Sequence, residues 1–228
     1  YNQVSNRGSS NYFATTGNTT LGWTNIYKLI ERANLIIDGI RNSELLNDEE
    51  SSKRMYAYLG ETLTMRAMGY HELVKHWGDV PFKLDPTSPD LSNVYLPKTD
   101  RDTIYKYIIA DLQEAANYVP WMGEMSYNVE RINKGFVKGL LARVALSAGG
   151  YSLRDKPGFP MERPANYLDY YAIANQACKD VMDKGIHKLN PSFLNVWQNV
   201  NALKWETTYN ENLYEVALGL GQTGEIGY

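Results

Sequence analysis

Apolar and polar positions alternate along this chain in blocks with a helical period. Trp23, Ile26, Tyr27, Ile30, Asn34, Ile37 and Ile40 recur mostly at steps of three and four, which places them on one face of a helix over about 22–41. A second helix is predicted to start at the acidic "NDEE", whose charges suit a positive helix N-terminus. It carries Met55, Leu59, Leu63, Ala67, Tyr70, Val74 and Trp77, and Gly78 ends it. Residues 79–99 hold Pro81, Pro86, Pro89 and Pro97, too many ring-locked positions for a regular element, so a long loop is expected. A third helix follows the capping-box pattern "TDRD" at 99–102, with Ile104, Ile108, Leu112 and Ala115 on one stripe, and stops at Pro120. A fourth turns Phe136, Val137, Leu140, Leu141 and Val144 to a core before Gly149 and Gly150, and a fifth spans about 167–184 up to Gly185. From Ile186 the pattern breaks into short apolar pieces, and "NLYEVALGL" places Leu213, Val216 and Leu218 in a short strand.

The predicted architecture is mainly all-α: antiparallel helix pairs joined by loops, with minor short strands near the C-terminal end. Such pairs resemble tetratricopeptide repeats, but the spacing is irregular and the loops after helices two, three and four are long. Loops longer than about 12 residues in a compact protein are usually functional or disordered. These are rich in Trp, Tyr, Pro and Asn rather than Ser, Lys and Glu, which favours function.

Composition adds exclusions. With 228 residues, 43% hydrophobic, 21% charged and a net charge of −3, the chain has room for a sizeable core and lacks the basic excess of a nucleic-acid binder. Tyrosine is abundant, 18 residues beside five Trp, and most of these rings are expected to pack between helices. No run reaches the ~18–20 apolar residues of a membrane helix, and the opening "YNQVSNRGSSNYF" has neither the basic start nor the apolar middle of a signal peptide. Cys178, alone, is expected to be a small buried residue of the fifth helix.

The candidate chemistry is sparse. "HELVKH" resembles a zinc-protease helix with one residue too many. Side chains four apart on a helix point within about 40° of each other and five apart diverge by about 140°. His71 and His76 therefore do not share one ion, and the remaining histidine, His187, lies elsewhere. No G-x-S-x-G elbow is present, Ser147 sits where a small helix residue is expected, and "GLGQTG" lacks the Lys-Ser/Thr of a phosphate loop. Converging carboxylate pairs stay open from sequence. Asn18-Thr19-Thr20 matches a glycosylation sequon, a triplet that chance often produces. Asn34, on an apolar stripe, is expected to make an interhelical hydrogen bond, and Arg66 and Arg143 to pack their stems and tie helix ends or loops.

Several separated phrases then align in order. "GWTNIYKLIERANLII" resembles the W-x-x-x-Y-x-x-I-x-x-A-N helix of SusD/RagB-like proteins, and "GETLTMRAMGYHELVKHWGDVPF" resembles their G-E-A-x-x-L-R-A-x-x-Y-x-x-L-x-x-x-W/F-G-D-V-P phrase. "RINKGFVKGLLARVAL" is similar to their R-x-[ST]-K-x-A helix, with Asn133 where Ser or Thr is usual, and "NENLYEVALGLGQTGEIGY" to their N-E-x-I-F-E strand and following G-x-x-G-Y turn. Family members are longer, so the resemblance implies one SusD-like helical domain over 1–228, an excerpt lacking an anchored N-terminus and a C-terminal portion.

The resemblance further implies a lipid-anchored protein on the external face of the outer membrane of Bacteroidetes-type bacteria. Such a protein binds glycan, or peptide in some members, and serves a SusC-like TonB-dependent transporter, with no catalysis, cofactor or catalytic metal. A repeat-type protein scaffold is the other class in view. The family's ligand platform comes from the loop before the first helix and from loops toward the C-terminal part. Carried onto this chain, that implies Arg7, Tyr12, Phe13 and Asn18 in "RGSSNYFATTGN", and Trp205, Tyr209 and Tyr228 later on. Aromatic rings beside amide and guanidinium groups suit sugars, which offer apolar C–H faces and hydroxyl rims. Trp23 is assigned to the core instead, since it begins the apolar stripe of the first helix, and Trp121 could equally pack between helix pairs.

Overall fold

The structure is a computed structural model that describes residues 17–216 apart from 125, 127 and 128, with side chains described from residue 22 onward. Six α-helices are found among the described residues: α1 (Gly17–Arg41), α2 (Glu49–Trp77), α3 (Arg101–Tyr118), α4 (Lys134–Ala148), α5 (Tyr167–Lys184) and α6 (Phe193–Asn201). Two ladders of two residues each, β1 (Val80–Pro81) with β2 (Lys98–Thr99) and β3 (Ser152–Leu153) with β4 (Met161–Glu162), are antiparallel. The mainly helical class holds. The strands occupy the loops after α2 and α4; residues 213–216 are irregular, and Leu218 lies outside the described residues.

Local chemistry sets the helix ends. Asp48 caps α2 by accepting from Ser51 N–H, Asp100 caps α3 through Asp102 N–H, Asn133 caps α4 through Phe136 N–H and Ser192 caps α6 through Asn195 N–H. The cap of α3 is thus Asp100 rather than Thr99, which is engaged in β2. At the other end of α2, Gly78 takes φ 77° and its N–H donates to Val74 C=O at 2.9 Å. The backbone conformation requires glycine, and a Cβ there would also displace the Arg101 guanidinium, whose Nη2 would lie 2.4 Å away.

The first five helices each pack on their neighbour in sequence, α1 on α2, α2 on α3, α3 on α4 and α4 on α5, although only the connection between α1 and α2 is short. The shared core contains Ile30 and Ile37 of α1, Leu59, Leu63, Tyr70 and Leu73 of α2, Ile104, Ile108 and Leu112 of α3, and Val137 and Val144 of α4. These are largely the stripes that the periodicity marks. Gly60 brings α2 against the end of α3: a Cβ there would meet Val119 Cγ2 at 2.6 Å.

A charged cluster lies inside this apolar packing. Arg66, 3% exposed, donates from Nε and Nη2 to the two oxygens of Asp111 on α3 at 2.8 and 2.9 Å, and from Nη1 to Asn34 Oδ1 on α1 at 3.0 Å. The same Nη1 reaches Leu84 C=O at 3.1 Å, and Asn34 Nδ2 donates to Asp85 C=O at 3.1 Å. Both expected roles, an interhelical bond for Asn34 and a tie for Arg66, are filled by one network that joins three helices to the proline-rich loop. Burial pushes the Asp111 carboxyl above its usual range, and the Arg66 fork opposes that rise. Arg143, given the same role from sequence, sits on the exposed face of α4, because its position on the helix points away from α3 and α5. Cys178 is exposed as well, one position past the buried Ala177.

Further ties hold the loop. Tyr27 Oη donates to Pro81 C=O at 2.7 Å, Tyr70 Oη donates to Lys83 C=O at 2.8 Å and accepts from Lys83 N–H at 3.0 Å, and Glu31 pairs with Lys83 Nζ at 2.8 Å while accepting from Thr87 N–H. Burial pushes the Tyr70 phenol up to about 12. The segment between α2 and α3 is therefore ordered by side chains rather than by regular secondary structure.

The two histidines of "HELVKH" lie on different faces of α2. His71 is buried with its Nδ1 unpartnered, near the Tyr105 ring, whereas His76 is exposed with Nε2 3.3 Å from Glu72 Oε2. His76 pairs with a side chain one turn back, not with helix-end carbonyls; Gly78 supplies that closure.

Two outcomes follow. Arg66→Met alone leaves Asp111 buried and unpaired and is expected to cost roughly 3–5 kcal/mol in denaturant unfolding, with Arg66→Met/Asp111→Leu recovering most of the loss. Burial holds the His71 imidazole below its ordinary value. The unfolded chain thus takes up a proton near pH 6.5 that the folded protein excludes, so the stability tied to this group is intact above about pH 6.5 and is lost as pH falls toward the folded value. Between pH 7.5 and 5.5, His71→Leu is expected to flatten the dependence of unfolding free energy on pH, by at most about 1.4 kcal/mol per pH unit; an unchanged slope contradicts this.

Candidate functional site

The C-terminal stretch, 185–216, folds back on the α4 N-terminus. Lys188 N–H donates to Tyr209 C=O at 2.8 Å, His187 Nδ1 lies 2.7 Å from Asn210 C=O, and Asn190 N–H donates to Glu211. Asn133 links this stretch to α4: its Oδ1 caps the helix and its Nδ2 donates to Leu213 C=O at 2.8 Å. Glu215 N–H donates to Val129 C=O, and the Phe136 and Tyr214 rings lie 4.7 Å apart.

These ties present a tight turn over 205–210. Glu206 accepts from the N–H groups of Thr208 and Tyr209 at 2.7 and 3.0 Å. Burial works against its charge, but those backbone donors hold the carboxyl below the usual range. Trp205, half exposed, borders a recess of about 10 Å³, room for a single water, lined also by Glu206, Asn210, Asn212, Glu215, Met122 and Val129, so a ligand meets the outer face of the indole rather than a pocket. An apolar ring face thus stands beside amide and carboxylate groups on a fixed backbone, a combination that can stack on a sugar ring and hydrogen-bond its hydroxyls. Of the residues assigned from sequence, Trp205 and Tyr209 come together in this turn, where Tyr209 contributes its backbone to the ties and a half-buried ring. Asn18 falls in the first turn of α1, which starts five residues before the predicted position, rather than in a loop. Arg7, Tyr12, Phe13 and Tyr228 lie outside the described residues.

Phe193 and Trp197, an edge-to-face pair 6.3 Å apart on α6, are exposed close in sequence to this turn and were not singled out from sequence. Their signal is the i, i+4 spacing after the Ser192 cap in "SFLNVWQNV". Trp121 is half-buried, with Lys134 and Lys184 over its ring at 6.0 and 5.4 Å, and Trp23 packs against Tyr27 and Trp77 as expected.

A second, larger cleft of about 310 Å³ opens where the end of α2 and the start of α3 face the β3–β4 hairpin. Its charges are mostly paired: Asp79 with Arg101 at 2.9 Å, Asp102 with Arg154 at 2.7 Å, Glu162 with Lys156 at 2.5 Å, and Asp155 with Lys98. Arg163, at its rim, lies over the Tyr167 ring at 3.4 Å and the Tyr151 ring at 4.9 Å. The sequence signal for this cleft is "GGYSLRDKPGFPMERPANY", one of the long aromatic loops. Among the described residues no group of three or more His, Cys, Asp or Glu side chains is arranged to hold a metal ion, and no helix is long and apolar enough to cross a membrane.

Comparison with known proteins identifies the family. Residues 2–146 match a family model described as SusD-like, starch-binding and associating with the outer membrane. SusD-like protein P2 of Formosa agariphila is 28% identical over 158 residues, covering 65% of this chain and 30% of that protein. A SusD homolog from Bacteroides thetaiotaomicron superposes with a TM-score of 0.70 at 25% identity, over 87% of this chain and 36% of its own. A laminarin-binding SusD-like protein superposes with a TM-score of 0.60 at 22% identity, over 79% of this chain and 34% of its own. The chain spans about a third of the length of these relatives. With more than half of its residues matched by the family model and its helices in the same arrangement as the solved relatives, the chain belongs to the SusD-like family.

Proposed function

We propose that this chain is the helical part of a cell-surface protein that binds oligosaccharide or polysaccharide and passes it to a SusC-like TonB-dependent transporter without chemical conversion. The observation that carries this reading is the family match over residues 2–146, whose model is described as starch-binding and associating with the outer membrane. The laminarin-binding relative supports a glycan ligand. The turn at Trp205 supplies physical means: a half-exposed indole beside Asn210, Asn212 and Glu206, on a backbone fastened to α4.

In this reading Arg7, Tyr12, Phe13 and Asn18 from the beginning of the chain, and Trp205, Tyr209 and Tyr228 from its end, contribute to one ligand surface. Residues 1–228 form a single helical domain, and attachment to the outer face of the outer membrane runs through a lipid anchor. Recognition by stacking and hydrogen bonds needs neither metal nor cofactor.

Affinity electrophoresis against a panel of neutral glycans, with product analysis of the same incubations, tests the proposal. Retardation by at least one glycan with no released product is expected, and Trp205→Ala is expected to weaken it about tenfold, equivalent to about 1.4 kcal/mol. Released product points to an enzyme. Absence of retardation with every glycan, alongside capture of a peptide, replaces the glycan with a peptide ligand.

A further inference from the structure

The cleft beside the β3–β4 hairpin is separate from the Trp205 turn and shares no lining residue with it. Asp79, Asp102, Asp155 and Glu162 each have a basic partner, so these pairs hold the walls together. Asp100 is committed to the α3 N-terminus, where its carboxylate accepts from Asp102 N–H at 2.8 Å. Arg163 is the exception: among the described residues it makes no ion pair and no hydrogen bond, and its guanidinium lies over the rings of Tyr151 and Tyr167. Stacking uses the guanidinium face and leaves its five in-plane N–H groups for a ligand.

Resting on the glycan reading, we propose that this cleft is a second carbohydrate subsite that takes an acidic sugar, a hexuronate whose carboxylate is held by Arg163. The geometry matches in three respects. A fixed guanidinium fork is complementary to the two oxygens of a carboxylate. The carboxylates of Asp102 and Glu162, each neutralised by a basic partner, keep free lone pairs that accept from sugar hydroxyls. The volume, about 310 Å³, is at the lower end of the small-ligand range and suits one or two sugar rings.

Heteronuclear NMR of the protein, following the arginine Nε–H signals during addition of sodium glucuronate and, separately, sodium galacturonate, tests this directly. The Arg163 signal is expected to shift saturably with at least one uronate, with glucose and sodium acetate at least tenfold weaker, and Arg163→Gln is expected to weaken uronate binding at least tenfold. No saturable shift with either uronate, equal response to acetate or glucose, or unchanged uronate binding in Arg163→Gln overturns the proposal. The glycan reading is judged apart from it: Arg163→Gln leaves retardation by a neutral glycan at the Trp205 surface intact, whereas failure of that reading removes retardation from the unaltered protein.

Discussion

The fold depends on a charge that has been taken out of water. Arg66 lies in the middle of α2 with three walls around it, and the guanidinium meets a demand on each: Asp111 from α3, Asn34 from α1 and Leu84 C=O from the loop. An unpaired buried guanidinium is costly, so the arrangement is stable only when all three neighbours are in register. Apolar stripes bring α1, α2 and α3 together without direction. This network fixes their relative rotation and selects one path for the loop.

The phrase "WGDVP", which resembles the family pattern, acquires a physical account from the same region. Trp77 packs on Trp23, Gly78 turns the chain out of α2 in a conformation closed to other residues, and Asp79 catches Arg101 at the start of α3. Val80 is fully buried in the ladder with Thr99, and Pro81 C=O receives the Tyr27 hydroxyl. Each residue joins the end of one helix to the beginning of the next. The histidines before it are incidental to that task, one buried and one solvent-facing.

The helices were legible where an apolar stripe faces a core. Their ends in α2, α4 and α5 coincide with the acidic start, Gly149 and Gly185 that the chain displays. What the sequence hid has particular causes. The first turns of α1 contain Gly, Asn and Thr, weak helix formers that read as loop, so Asn18 was placed ahead of the helix. The nine residues of α6 leave their apolar side exposed and lie between Pro191 and an irregular turn, so the stripe had no apparent core to face. Arg66 and Arg143 look alike as isolated bases in apolar runs, and only the packing of neighbouring helices separates the buried one from the exposed one. At the candidate site, Trp205 is visible as an aromatic in a polar segment; the ties through Asn133 and His187 that fasten this stretch span 80 and 23 residues and follow from tertiary structure alone.

Both clefts are consistent with a scaffold whose rigid helices carry recognition on the loops that join them. The central claim is that the Trp205 turn offers an indole face to a sugar ring. Saturation-transfer NMR with a neutral β-glucan oligosaccharide measures this most directly, because magnetisation passes from the protein to the sugar protons that touch it. The account predicts strong transfer to the C–H protons of one ring face, abolished when Trp205 is replaced by Ala. Equal transfer in the presence and absence of the indole, or none from the unaltered protein, would contradict it.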